Sequence, residues 1–168
     1  MAQATCHPPA SVKAAAFIYG VAVHLLFVRA VGFLFDTPTA NWRHEHAVVL
    51  NATVGFLGGA FVAMLIPRLL TRPAAGALSS FPTALRGGVL GMAATVLTVE
   101  SFYVLCAGYL GARAAVQYPN PGFGLAGLLL GFVSINTYGF PVVLLAVPFG
   151  LAYGAVAGAV ASWIGRAR

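Results

Sequence analysis

The chain has 168 residues, of which 60% are hydrophobic and 7% are charged, with a formal net charge of +6. Because a soluble domain carries about 25% charged residues, this composition excludes a soluble globular fold and predicts a single transmembrane domain over residues 1–168. The basic residues occur singly at the ends of apolar runs. That distribution is typical of membrane topology and argues against a nucleic-acid partner.

Four apolar segments have about the 20 residues that a helix needs to cross a bilayer. The predicted spans cover residues 13–35, 47–66, 87–111 and 140–163. A shorter apolar stretch at 123–133 is followed by polar residues from Ser134 to Gly139 and then by Pro141. Polar turn formers and proline predict an interruption of the helix there.

The sequence therefore predicts an all-α integral membrane protein with two alternative architectures. Residues 123–133 form either a short re-entrant or interfacial half-helix beside four transmembrane helices, or a fifth span. With four spans, Lys13 and the arginines of residues 68–86 and 166–168 share one side. Because cytoplasmic segments carry the excess of Lys and Arg, this bias favours four spans with both termini in the cytoplasm.

Polar residues within the predicted spans are candidates for functional sites, because burying charge in a bilayer is costly. Arg29 and Glu100 lie at similar predicted depth on the first and third spans, so we predict an ion pair. Such a pair locks two helices together, or it serves as a proton or ion relay or as a counter-charge to a substrate. The alternative to a pair is that Arg29 extends to the outer interface. Asn51 on the second span and Asn136 in the predicted interruption complete this set.

His24 lies near the centre of the first predicted span, with Gly20 one turn earlier. The glycine leaves room for a flat ring, which suits a ligand to a chlorophyll-type pigment or a haem. A hydrogen-bonded core histidine and a proton-transfer residue are the alternatives. The identity of any cofactor stays open at this point, and bound lipids are expected.

Catalytic and metal-binding motifs are scarce in the sequence. His44, Glu45 and His46 are adjacent at the predicted outer surface, and imidazole and carboxylate groups suit zinc or copper. No second cluster completes such a site, so we expect no metal centre. The chain has three acidic residues in all, and it lacks a serine elbow and a glycine-rich phosphate loop. We therefore expect a protein that is not an enzyme.

Small side chains recur every four residues along the last span, at Gly150, Gly154, Gly158 and Ser162. This spacing places them on one helix face, and small residues allow the close backbone approach by which helices associate in lipid. The second span has a similar series that includes Gly55 and Gly59. We predict that the second span is the packing partner of the last one.

These features favour a non-catalytic structural or accessory subunit of a larger membrane complex, of respiratory or photosynthetic type. Its partners would be other membrane subunits and lipids. One alternative is a small homo-oligomeric channel or transporter that uses Glu100 and Arg29. A second alternative is a pigment- or haem-binding subunit that uses His24.

Overall fold

The computed structural model describes residues 9–34, 45–69, 80–117 and 121–166, nearly all of which are helical. The elements in chain order are α1 (Ala10–Leu34), α2 (Glu45–Leu65), a 3₁₀ turn (Ile66–Leu69), α3 (Ser80–Gln117) and α4 (Pro121–Arg166). Within these ranges, four helices are long and apolar enough to cross a membrane. The structure thus agrees with an all-α integral membrane protein.

The last helix differs from its prediction. α4 is continuous over 46 residues, with Pro141 and Pro148 inside it, so the predicted interruption from Ser134 to Pro141 is wrong. Residues 123–133 belong to this same helix. Each proline removes one main-chain donor, but helices in apolar surroundings tolerate proline where side chains and neighbouring helices satisfy the freed groups.

The polar residues that predicted a turn lie within the continuous helix and are hydrogen-bonded there. Asn136 and Thr137 each donate a side-chain hydrogen bond to the carbonyl four residues earlier, at 2.9 and 2.8 Å. From α3, the hydroxyl of Tyr103 donates to the Gly139 carbonyl at 2.9 Å. The local bonds thus satisfy the polar side chains within a continuous helix, and the interhelical bond from Tyr103 links this part of α4 to α3.

α3 and α4 form a long antiparallel pair, and α1 lies beside only one part of it. The ring centroids of Phe27 and Phe149 are 5.1 Å apart, and those of Tyr19 and Tyr153 are 6.1 Å apart. α1 thus runs antiparallel to the C-terminal half of α4. The buried apolar residues cluster in this same part of the molecule.

The other part of the α3–α4 pair has little cover. Within residues 104–117 and 121–140, the buried residues among those described are Ala107, Gly111 and Gly131, all on the seam between the two helices. We term these two segments the outer hairpin, and the remainder, where α1 and α2 pack on α3 and α4, the four-helix part. The outer hairpin is the main feature that the sequence did not predict.

Candidate functional site

His24 is the most enclosed ionisable residue of the four-helix part, with a side chain that is 0% exposed. Its Nδ1 lies 2.8 Å from the carbonyl oxygen of Gly20. Because a carbonyl can only accept, Nδ1 carries the hydrogen, and in the neutral ring Nε2 is an acceptor. Nε2 is buried and has no hydrogen-bond partner among the described residues. The hydrogen bond to its own helix therefore orients the imidazole, and the lone pair of Nε2 accepts no hydrogen bond from the described residues.

Neighbouring helices enclose both the ring face and the ring edge of His24. A Cβ atom added at Gly58 of α2 would overlap the imidazole, lying 2.6 Å from Cδ2. The ring of Tyr153 on α4 packs edge-on, with centroids 5.8 Å apart. Ligation of a pigment or haem through Nε2 would therefore require these helices to move apart. A proton-transfer role would need a second group within hydrogen-bond reach of Nε2, and the described residues supply none.

Tyr153 lies at the centre of a hydroxyl network that joins three helices. Its hydroxyl donates to the Gly91 carbonyl at 2.9 Å and accepts from the Thr95 hydroxyl at 3.1 Å. The hydroxyl of Tyr19 on α1 donates to the main-chain carbonyl of Tyr153 at 3.0 Å. Buried hydroxyl groups that are paired in this way fix the relative positions of the helices that carry them.

Tyr153 and Thr95 were not predicted as site residues, because a single hydroxyl group within an apolar helix is less conspicuous than a charged or amide side chain. A signal was nevertheless present. Thr95 follows Gly87 and Gly91 at intervals of four residues, which places all three on one face of α3. That face is the one that meets α4.

The glycine series of α4 packs on α3, so the predicted packing with α2 is wrong. A Cβ added at Gly154 would lie 2.8 Å from the Cα of Gly91, and one added at Gly150 would lie 2.5 Å from the Cα of Met92. Gly158 meets the main chain of α3 one turn further along, and Ser162 is buried beyond it. The partner was missed because α3 begins at Ser80, seven residues before the predicted span, so its own glycines lie well inside a helix.

The glycines of α2 pack on α1. A Cβ added at Gly59 would lie 2.8 Å from Val21 and 2.9 Å from the ring of Phe17, and one added at Gly20 would lie 2.8 Å from the Cα of Gly59. Gly55 is 3.4 Å from Leu25 by the same measure. Two separate seams therefore hold the bundle, one between α1 and α2 and one between α3 and α4. Asn51 is buried on α2, one turn from Gly55.

Arg29 is exposed and Glu100 is half-buried. Phe27 of α1 packs on Phe149, whereas Tyr103 of α3 binds α4 ten residues earlier, at position 139. At 1.5 Å per residue, these contacts place Arg29 and Glu100 about 7 Å apart along the bundle axis. Their ion pair stays a prediction, which the substitutions given in the Discussion test.

The remaining predicted residues lie away from this centre. Asn136 is on the outer hairpin, bonded to its own helix. His44 lies outside the described residues, and only the main chain of Glu45 and His46 is described, in the first turn of α2. Within the described ranges, no group of three or more potential metal ligands occurs.

The comparisons with known proteins give no match. No family model matches the sequence, and neither a curated protein nor a solved structure matches it significantly. The functional interpretation therefore depends on the residues and their geometry.

Proposed function

We propose that this protein is a non-catalytic, membrane-embedded accessory subunit that binds a partner polypeptide through its outer hairpin. The observation that carries the proposal is the exposed apolar surface of that hairpin. Its large exposed apolar side chains in the described ranges are Val104, Leu105, Tyr109, Leu110, Val116, Leu125, Leu128, Leu129, Leu130, Phe132, Val133 and Phe140. In water such a surface is unfavourable by about 25 cal/mol per Å².

The length of α4 supports a location of the outer hairpin beyond the bilayer. A helix of 46 residues is about 69 Å long, whereas the hydrocarbon core is about 30 Å thick. Even at a tilt of about 40°, the upper end of the usual range, α4 would extend over about 53 Å. α1 and α2 have the length of a bilayer span. The part of α3 and α4 beside them is therefore the membrane-embedded part.

The distribution of polar residues supports the same placement. Glu100, Asn136 and Thr137 lie near the junction of the four-helix part and the outer hairpin, where Tyr103 bonds to α4. Polar groups are favourable at a membrane surface and costly at its centre. In this placement Glu100 lies at the membrane surface instead of at mid-membrane depth, which weakens the channel alternative. The basic ends of the helices lie on the opposite side, which the positive-inside rule makes cytoplasmic.

Gly108 gives a second reason to expect a partner at the outer hairpin. A Cβ added there meets no atom within 4 Å, whereas Gly111, Gly127 and Gly131 of the same hairpin have close neighbours across the seam. Glycine in a helix interior is less favourable than alanine by about 1 kcal/mol. At Gly108 no contact within the chain offsets that loss. Together with the exposed Ala112 one turn later, it leaves room for the close approach of another helix.

Site-specific photo-crosslinking in the native membrane tests the proposal. A photoreactive residue at position 108 or 130 should crosslink to a different polypeptide, identified by mass spectrometry. The same residue at position 18, where Ile18 is 69% exposed on α1, should crosslink only to lipid. Native mass spectrometry of the gently extracted particle should give this chain and that polypeptide in a fixed ratio.

Two results would contradict the proposal. A particle that contains only copies of this chain, with crosslinks at position 108 between identical chains, would favour a homo-oligomeric channel or transporter. Equal crosslinking to lipid at positions 18 and 108 would show that the outer hairpin is embedded in the bilayer.

A further inference from the structure

α1 and α4 separate towards the ends that carry Ala10 and Arg166, and a cavity lies between them there. Above it, the rings of Tyr19 and Tyr153 are in contact. Below Tyr19 the facing positions are small, with Ala15 and Ala16 on α1 and Ala157 and Ala161 on α4, and they leave a volume of about 340 Å³. We term this cavity the alanine groove.

The 3₁₀ turn closes the inner side of the alanine groove, where Ile66 and Pro67 are both buried. Its other side is open, because Ala15, Val156 and Val160 on its rim are exposed. The groove follows α1 from Val12 to Tyr19, a rise of about 10 Å. It is therefore a lateral crevice between two helix segments that are long and apolar enough to cross a membrane, and its open side faces away from the bundle.

The lining of the alanine groove selects a hydrocarbon ligand. Every lining side chain is apolar except Tyr19, whose hydroxyl hydrogen is donated to the Tyr153 carbonyl at 3.0 Å. No lining side chain therefore has a hydrogen left to donate to the polar head of a ligand inside the groove. A polar head would have to lie at its mouth, near the end of the bundle.

The charge at that end is basic. Lys13 is exposed and adjacent in sequence to the lining residue Val12, and Arg86 is exposed near the same end of α3. Of the acidic residues in the described part of the chain, Glu100 lies midway along α3, and Glu45 begins α2 at the end away from Ile66 and Pro67. Near the alanine groove a phosphate group would thus meet basic side chains without acidic competition.

We propose that the alanine groove binds one acyl chain of an anionic phospholipid, with the lipid phosphate beside Lys13. The apolar lining accounts for the chain, the lateral opening accounts for its entry from the bilayer, and the basic end accounts for the charge of the head group. This inference uses only the four-helix part, so it stands or falls independently of the outer hairpin.

Lipid titration followed by native mass spectrometry tests the site. Delipidated protein in detergent is titrated with phosphatidylglycerol or phosphatidylcholine of identical acyl chains. The unmodified chain should bind one molecule of the anionic lipid several-fold more tightly than the zwitterionic one. Lys13→Gln should weaken phosphatidylglycerol binding about fivefold, as expected for one basic residue near a lipid surface, and leave phosphatidylcholine binding unchanged.

Filling the groove tests the acyl-chain site itself. Ala157→Leu places a larger side chain in the empty volume and should weaken binding of both lipids at least tenfold. The matched control is Ala159→Leu, an exposed position on the same helix outside the groove lining, which should bind as the unmodified chain does. Ala15→Leu repeats the test from the opposite wall, in case the first variant does not fold.

Two results would overturn the inference. Equal lipid binding by the folded groove variants and by Ala159→Leu would show that the alanine groove is not the site. Equal affinity for the two lipids, unchanged by Lys13→Gln, would show that the head group is not recognised through its charge.

Discussion

The seam between α3 and α4 gives the sharpest test of the packing, through the substitution Gly154→Ala. The added methyl group would lie 2.8 Å from the Cα of Gly91 and closer still to the Gly87 carbonyl. Because both neighbours are main-chain atoms, neither can rotate away. The two helices must separate by about 0.7 Å to bring the added methyl group to an ordinary carbon–carbon distance of about 3.5 Å from the Gly91 Cα.

The expected loss of stability follows from three contributions. Overpacking a close helix contact destabilises by about 1–3 kcal/mol. The same separation lengthens the hydrogen bond from Tyr153 to Gly91, now 2.9 Å, and such a bond contributes about 0.5–1.5 kcal/mol. Alanine is more favourable than glycine in a helix interior by about 1 kcal/mol, which offsets part of this loss. We expect a net loss of about 2 kcal/mol, which corresponds to a decrease in Tm of about 4–8 °C for a chain of this size.

Thermal unfolding of the purified chain in detergent measures this effect, with Gly108→Ala as the matched control. Both variants add one methyl group to a glycine of the α3–α4 pair, on α4 at position 154 and on α3 at position 108. The methyl group at position 108 meets nothing within 4 Å. Gly108→Ala should therefore raise the Tm by about 2–4 °C, since its only effect is the more favourable helix propensity of alanine. If Gly154→Ala also raised the Tm, the close approach of the two helices would be refuted.

Three further predictions concern the buried centre and the charged residues. His24→Ala and Gly58→Ala should each destabilise the chain by about 2 kcal/mol or more, one through a cavity and one through overlap with the imidazole. Because the new methyl group occupies part of the vacated space, the double variant should lose at least about 1 kcal/mol less than the sum, and additive losses in denaturant unfolding would contradict that contact. Tyr153→Phe should cost about 1 kcal/mol, since it removes the hydroxyl bonds to α3, and an unchanged unfolding midpoint would argue against the network. For the predicted ion pair, Glu100→Gln should lower the Tm in detergent and adding Arg29→Gln should change it little further; additive decreases would exclude the pair.

Much of the fold follows from the sequence, because bilayer length and apolar composition leave few alternatives to helices. The predicted first, second and last spans, residues 13–35, 47–66 and 140–163, fall within about three residues of the helices or helix segments that are apolar enough to cross a membrane. The prediction of α3 is too short at both ends. The terminal turns of α3 are flanked by proline, arginine and serine, whose composition does not distinguish a helix from a loop.

The interruption of α4 was predicted from local composition, but in the structure α4 is continuous and has tertiary contacts in this region. Asn136, Gly139 and Pro141 weaken a helix in isolation. The bond from Tyr103 and the side-chain bonds within α4 cannot be inferred from the sequence, because the first depends on the register of α3 against α4. That register is set by the close packing of the α4 glycines on α3. The sequence had predicted that these glycines pack on α2.

The candidate site was also predicted only in part, because its contacts depend on which helices pack together. His24 was identified because an ionisable residue within an apolar span is conspicuous. Its contact on α2 is Gly58, which could not be predicted because glycine has no side chain whose chemistry indicates a site. Tyr153 and Thr95 were missed because their chemistry becomes specific only when Gly91 brings the two helices close together. In this protein the glycines determine which polar groups can meet.

The two kinds of glycine contact also separate the stability of the chain from its assembly. Gly91 and Gly154 serve contacts within the chain, so an added side chain there reduces stability whether or not a partner is bound. Gly108 has no such contact, so Gly108→Ala should stabilise the isolated chain and yet weaken a helix that packs over position 108. A more stable subunit that assembles less well is a combination that general misfolding cannot produce. Opposite signs for Tm and for recovery of the complex would therefore identify Gly108 as part of an intermolecular surface, and equal signs would remove it from that surface.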